Sequence, residues 1–288
     1  MQTILSIGLD GLSYGMVLFI ISIGLSIMMG LMRVVNLAHG AFAMIGGYLA
    51  SYALRDLGVH YSVAILIAVV GTVLISIPFE RLLYQRIYRK SDELTQLLLT
   101  IGITFLIIGV ANFTFGPTLK PIPLPPGLSG PLDIGFRVIP THRVFVIVCG
   151  AVTALALWLL IDRTEFGIRL RAAVDNSDMA DALGIRTEWI YAATFALAVG
   201  LGAFGGVVGA ELLPIEPFYA LRYMVTFLVV VSVGGAGSIA GALAASLLLG
   251  LADTTGKYLA PEFGEFFFYL AVILIVLLFP RGLFGRAH

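Results

Sequence analysis

Residues Arg169 to Arg186, RLRAAVDNSDMADALGIR, gather charges and helix-capping types that the rest of the chain mostly lacks. One apolar run ends at Ile161 and another begins at Trp189, so this island has to sit in water between two membrane-crossing segments. Its chemistry is that of docking, not of bond making. Asp175, Asn176 and Ser177 are good N-cap types, with Ser177 the expected cap. Asp178 and Asp181 follow in the first turns, where acids suit the helix dipole. Gly184 suits a left-handed stop. Met179, Ala182 and Leu183 then form a small apolar face, with the two acids turned to water. A helix of about two turns is unstable by itself. It either docks on a neighbour or stays a solvated interfacial loop.

Other chemistry is scarce. The string Gly256-Lys257-Tyr258 is the nearest approach to a nucleotide-binding loop, and it lacks the loop. No Asp, Glu, Lys or Arg falls in the middle of an apolar run, so no proton relay is expected. Nucleophile–base pairs and metal-ligand spacings are missing, so neither catalytic residues nor a metal site are assigned. The single cysteine, Cys149, allows no internal disulfide. Asn36 and His39 open the second apolar run. Buried, each needs a hydrogen-bond partner, and a structural role is preferred to substrate contact. Gly40, Gly46 and Gly47, with Gly200, Gly202, Gly205, Gly206 and Gly209, allow close helix contact. They serve either tight packing or a smooth, movable lining.

The elements that must position these residues are membrane helices. Of 288 residues, 59% are hydrophobic and 12% charged, against about 25% charged in soluble domains. Net charge is zero, so nothing points to nucleic acid. Apolar segments run over 8–31, 37–54, 62–79, 94–115, 143–161, 189–213, 223–252 and 263–280. Lipid offers backbone groups no partners, so these must be helices. The expected fold is all-α: one polytopic transmembrane domain over 1–288, of about eight segments. Residues 1–32 carry no Lys or Arg, so the first segment reads as a retained span, not a cleaved signal.

Orientation follows the basic residues. Arg33, Arg81, Arg86, Arg89, Lys90, Arg163, Arg169, Arg171, Arg186, Arg281 and Arg286 fall on one side, which is then cytoplasmic. Arg55, Lys120, Arg137, Arg143, Arg222 and Lys257 fall on the other. Loop 162–188 is thus internal and loop 116–142 external. Seven prolines in 116–142 favour extended structure, either as a partner-facing loop or as a stiff connector. Segment 223–252 must return to the side it left. It does so as two short helices meeting at Gly234-Gly235-Ala236-Gly237-Ser238, or it is one long tilted span that puts the tail outside. The broken, discontinuous pair is preferred. Asn36–Ser51 and Ser232–Ser246 are loosely alike, through either duplication or shared small residues.

The polar island is similar to the cytoplasmic coupling segment of bacterial ABC-importer permeases. Arg171-Ala172, Asp175, and Ala180 before Gly184-Ile185 carry that resemblance. Asn36-Leu37-Ala38-His39-Gly40 with Met44, Gly46, Gly47 and Tyr48 resembles the N-x-A-H-G…M-x-G-A-Y signature of LivH-type branched-chain amino acid permeases. Gly47 departs from its commoner alanine. Gly234 to Ser238 with Gly241 resembles their G-G-x-G-S-x-x-G-A, and Arg281 to Gly285 their R-G-L-F-G. The resemblance implies an ATPase-coupling segment comprising Arg171, Asp175, Ser177, Asp178, Met179, Ala180, Leu183, Gly184 and Ile185. Asn36, His39, Gly40, Gly234, Gly235 and Ser238 are the candidate lining of the translocation path. A LivM-type permease, two ATPase subunits that bind the ATP, and a periplasmic substrate-binding protein are the implied partners. No cofactor is expected on this chain, and the bacterial inner membrane is the expected location. Branched-chain or other hydrophobic amino acids are the expected substrates. Urea or short-chain amides, or a self-sufficient channel, are the alternatives.

Overall fold

A computed structural model describes residues 2–85, 93–133, 138–279 and 282–284. Arg86, Arg89, Lys90, Arg137, Arg281, Gly285 and Arg286 lie outside the described residues. The architecture is an all-α bundle. In chain order the helices are α1 (Gln2–Leu31), α2 (His39–Arg55), α3 (Tyr61–Phe79) and α4 (Glu93–Phe115). A single π-helical turn, Glu80–Tyr84, continues α3. Then come α5 (Pro126–Ser129), α6 (Thr141–Arg163), α7 (Glu165–Asp175), α8 (Ser177–Ala182) and α9 (Thr187–Val208). The last three are α10 (Tyr219–Gly234), α11 (Ile239–Leu259) and α12 (Gly264–Leu278). Among the described residues, six helices are long and apolar enough to cross a bilayer: α1, α3, α4, α6, α9 and α11.

Helix α1 is the axis of the bundle. Its apolar stretch is 78% buried, against 22% for α3 and 28% for α6. Helices α11, α9, α6 and α10 pack around it, and α2 and α3 pack on α9. The outward faces of α3, α4 and α6 stay apolar, as Leu66, Leu98 and Val152 show. Helices that are apolar all round belong in lipid.

The chain after α1 does not leave the bundle. It turns at Arg33, whose φ of 55° is unusual for a residue with a side chain, and climbs back inside. His39 Nε2 faces the Ile21 carbonyl at 2.8 Å, so that nitrogen carries the proton. Ile21 lies ten residues before the end of α1, about 15 Å along the helix. Helix α2 therefore starts deep in the bundle. Helix α10 does the same: a Cβ on Gly40 would stand 3.3 Å from Ala220 Cα. Two helix starts thus meet inside the protein.

Asn36 holds the first of these re-entries. Its Oδ1 accepts from Ala38 N–H (3.0 Å) and from Tyr84 Oη (2.6 Å), and its amide reaches Met28 Sδ at 3.3 Å. Asn36 and Tyr84 are both fully buried. Asn36→Ala removes the acceptor that the Tyr84 hydroxyl and the buried Ala38 N–H share, at about 1–3 kcal/mol for each. The thermal midpoint of the purified protein is expected to fall by at least about 4 °C. An unchanged midpoint would show that the triad holds nothing.

The break in 223–252 falls where expected, between Gly234 and Ser238. Gly235 (φ 88°) and Gly237 (φ 83°) take left-handed conformations that suit glycine. The two helices are longer than the short pair expected, and α11, with 21 residues, is long enough to cross alone. The turn sits at the Arg33 end, because Gly237 packs on Gly30 and its N–H donates to Ser26 Oγ at 3.0 Å. The tail returns to the same place. Leu283 and Phe284 N–H donate to the carbonyls of Val233 (2.7 Å) and Gly234 (3.3 Å).

At the opposite end, Arg143 pairs with Asp10, and Tyr258 Oη donates to Asp10 Oδ2 at 2.6 Å. Lys257 pairs with Asp253 (2.6 Å) and lies over the Tyr14 ring. These contacts tie the ends of α1, α6 and α11 together. Asp10 thus lies within α1 as a buried acid near its end, paired with arginine, a feature the sequence reading passed over. The proline-rich loop is less extended than expected. It holds α5, whose Pro126 takes a first-turn position where a missing N–H costs nothing. It also holds a short antiparallel pair, β1 (Pro131–Asp133) with β2 (Val138–Pro140).

Candidate functional site

The polar island folds as two helices, not one. Helix α7 turns sharply off α6: a Cβ on Gly167 would stand 1.8 Å from the Ile161 carbonyl oxygen. Arg171 Nη1 folds back to donate to that same carbonyl at 3.0 Å. It satisfies one of the last carbonyls of α6, where a cation also suits the helix dipole. Tyr191 Oη, from α9, donates to the Ala173 carbonyl at 2.8 Å and braces α7. Leu170 and Ala173 are fully buried underneath.

Helix α8 rides on this base. Its N-cap is Asn176, not Ser177: Asn176 Oδ1 accepts from Met179 N–H at 2.9 Å. The reason is the break itself. Asp175 ends α7, and Asn176 takes the extended conformation that an N-cap needs, which leaves Ser177 as the first helical residue. Gly184 has φ 85° and ends α8 as expected, with Ile185 N–H bonded back to the Ala180 carbonyl at 3.0 Å.

Asp181 does something the sequence did not reveal. Although exposed, its Oδ1 accepts from both the backbone N–H (3.1 Å) and the hydroxyl (2.8 Å) of Thr187. It caps the start of α9, where Arg186 supplies no side-chain cap. Asp178 has no such role and is exposed. Asp181→Ala is therefore expected to cost about 1 kcal/mol in stability, while Asp178→Ala costs less, only the weak first-turn dipole contribution of an exposed acid. Thermal melts of the two variants check the contrast, and equal melts would contradict it.

Of the α8 side chains, Ala180 is 3% exposed and turns inward. Met179 and Leu183 turn outward, 58% and 75% exposed. Two apolar side chains are thus held in the open on a short braced helix. Ser177 and Ile185 are half-buried, and Asp175, Asp178 and Gly184 are exposed.

The candidate path residues divide. Gly235 and Ser238 line a crevice of about 920 Å³ at the Arg33 end, together with Arg33, Arg171, Asp175 and Phe284. One opening therefore brings coupling-segment and path candidates together. Ser238 also caps α11, accepting from Gly241 N–H at 3.0 Å. Gly234 is buried, backbone to backbone, against Gly241. Asn36, His39 and Gly40 are buried in helix packing. The His39 ring fills a slot left by two glycines. A Cβ on Gly24 would stand 2.7 Å from its Cε1, and one on Gly202 3.1 Å. Gly24, Gly30, Tyr84 and the Asp10–Arg143 pair were missed in the sequence. None stands in a motif, and only the fold brings their partners to them. No group of three or more metal-binding side chains occurs among the described residues.

Residues 7–277 match the family described as branched-chain amino acid transport system / permease component. Among curated relatives, the high-affinity branched-chain amino acid transport system permease protein LivH of Salmonella typhimurium is 27% identical, covering 96% of this chain and 94% of its own. The corresponding protein BraD of Pseudomonas aeruginosa is 28% identical, with the same coverage of both chains. The probable branched-chain amino acid transport permease protein LivH of Methanocaldococcus jannaschii is 28% identical over 94% of this chain and 90% of its own.

Proposed function

The chain belongs to the permease-component family of branched-chain amino acid transport systems, and we propose that it carries branched-chain or other hydrophobic amino acids across the bacterial inner membrane. It is a multi-pass permease subunit of an ABC importer. ATP is bound and hydrolysed by two partner subunits. A LivM-type permease completes the membrane part, and a periplasmic protein delivers the substrate. The Arg33 end is cytoplasmic and the Arg55 end faces outward.

One observation carries this reading: α8 holds Met179 and Leu183 in the open while its other face is buried on α7 and α9. A groove on an ATPase subunit would cover them. Force applied there passes through Ala180 and the capped joint at Asp181 into α9. Through α7 it passes into α6. The crevice beside α7 then forms the inner mouth of the path, bordered by Gly235 and Ser238, while Asn36 and His39 fix the helix starts.

Uptake into proteoliposomes tests the proposal. The chain is reconstituted with its permease, ATPase and binding-protein partners, and radiolabelled leucine, urea and acetamide are compared. ATP-dependent leucine uptake is expected. Leucine uptake by this chain without ATP or ATPase subunits would overturn the importer reading in favour of a channel. Urea or acetamide uptake in place of leucine would overturn the substrate.

A further inference from the structure

A second crevice, of about 250 Å³, opens at the Arg55 end between α2 and the loop that follows α4. That is the volume of about eight waters, below the ~300 Å³ at which sites for drug-sized ligands begin. It admits one small molecule. Its walls carry two cations, Arg55 and Lys120, and one acid, Asp56. Among the described residues, none of the three forms an ion pair. One wall is an aromatic pair, Tyr48 stacked on Phe115 with ring centres 4.6 Å apart. Tyr48 is 1% exposed, and its hydroxyl has no hydrogen-bond partner. The crevice has fixed edges: Lys120 N–H donates to the Ile215 carbonyl (3.0 Å) and Ser51 Oγ to the Pro121 carbonyl (3.4 Å).

We propose that this crevice is an outer subsite for one free apolar α-amino acid. Arg55 and Lys120 take the carboxylate, Asp56 takes the ammonium, and the open part of the Phe115 ring, backed by Tyr48, takes the side chain. A simple anion would meet Asp56, and a simple cation would meet two positive charges. A peptide is too large. The inference rests on the importer reading above and adds a site within this chain that holds the substrate after release. Charge-assisted pairs to both ends of the ligand give selectivity that neither end gives alone.

Saturation-transfer NMR tests the site on the whole permease–ATPase complex in phosphatidylcholine nanodiscs, without binding protein. Leucine is expected to give a saturable signal. Isocaproate, which lacks the ammonium, and isoamylamine, which lacks the carboxylate, should bind at least tenfold more weakly. Arg55→Gln and Asp56→Asn should each weaken leucine at least tenfold, and Arg55→Lys should restore most of it. Equal binding of isocaproate, or leucine binding untouched by both variants, overturns the proposal. So does displacement of leucine by phosphatidylethanolamine, whose headgroup presents the same two charges. Should the variants fail to co-purify with the ATPase subunits, the analogue series on the native complex decides alone. Uptake by the complete system separates the two readings. Leucine uptake without leucine binding at the crevice removes the subsite and keeps the importer. No uptake of any hydrophobic amino acid removes both.

Discussion

Gly184→Pro is expected to reduce ATP-driven uptake to less than about a tenth while the protein still inserts and reaches normal levels. Gly184 holds φ at 85°, and proline cannot, because its ring locks φ near −65°. The substitution also deletes the Gly184 N–H, which donates to the Asp181 carbonyl at 3.0 Å. The combined cost is about 3 kcal/mol or more. Helix α8 has six residues and cannot stand without its ends. The damage stays local, because nothing stands within 4 Å of a Cβ built at Gly184. Met179 and Leu183 then lose their fixed positions. Gly184→Ala should fall between, since a left-handed non-glycine residue costs only about 1–2 kcal/mol. Uptake and ATP hydrolysis by the reconstituted complex are the readouts. Uptake near the native level in the proline variant would show that the joint transmits nothing.

The second large effect lies at Gly30, on the wall of the 920 Å³ crevice at the Arg33 end. Gly30→Ala would place a methyl carbon 2.0 Å from Gly237 N and 2.2 Å from Gly237 Cα. Both are backbone atoms, so no rotamer change relieves the clash. Helix α1 must part from the α10–α11 turn, breaking the Ser26–Gly237 hydrogen bond and loosening the turn that the tail covers. Overpacking of this kind costs typically 1–3 kcal/mol, and an all-backbone clash belongs at the top of that range. Expression and thermal midpoint should both drop sharply. Gly109→Ala is the control, since open space surrounds that helical glycine. It should be neutral or stabilise by up to about 1 kcal/mol. Similar behaviour of the two variants would refute the packing argument.

Much of the architecture was legible in the sequence, because spans declare themselves by length and hydropathy. The break at Gly234–Ser238 was legible too, since the run 223–252 had to return to the side it left and carries its own glycines. Helix α8 could be read down to its glycine stop. Its cap could not: Asp175, Asn176 and Ser177 are equivalent by type, and only the end of α7 selects Asn176. Asp178 and Asp181 look alike in sequence, yet Asp181 reaches six residues ahead to Thr187. The re-entry of α2 was hidden for a different reason. An apolar run does not show whether its first residue sits at the surface or about 15 Å inside. His39 and Asn36 were expected to have structural partners, and those partners, Ile21 and Tyr84, come from elements that no spacing rule connects to them.

Directed crosslinking tests the central claim most directly. The chain has a single cysteine, Cys149, so a Cys149→Ala background leaves Leu183→Cys as the only thiol of this subunit. In the assembled, transport-active complex, a short bifunctional reagent should join Leu183→Cys to an ATPase subunit, and ATP should change the yield. An active complex in which Leu183→Cys never joins an ATPase subunit, or is labelled by an impermeant reagent from the substrate-binding side, would contradict the account.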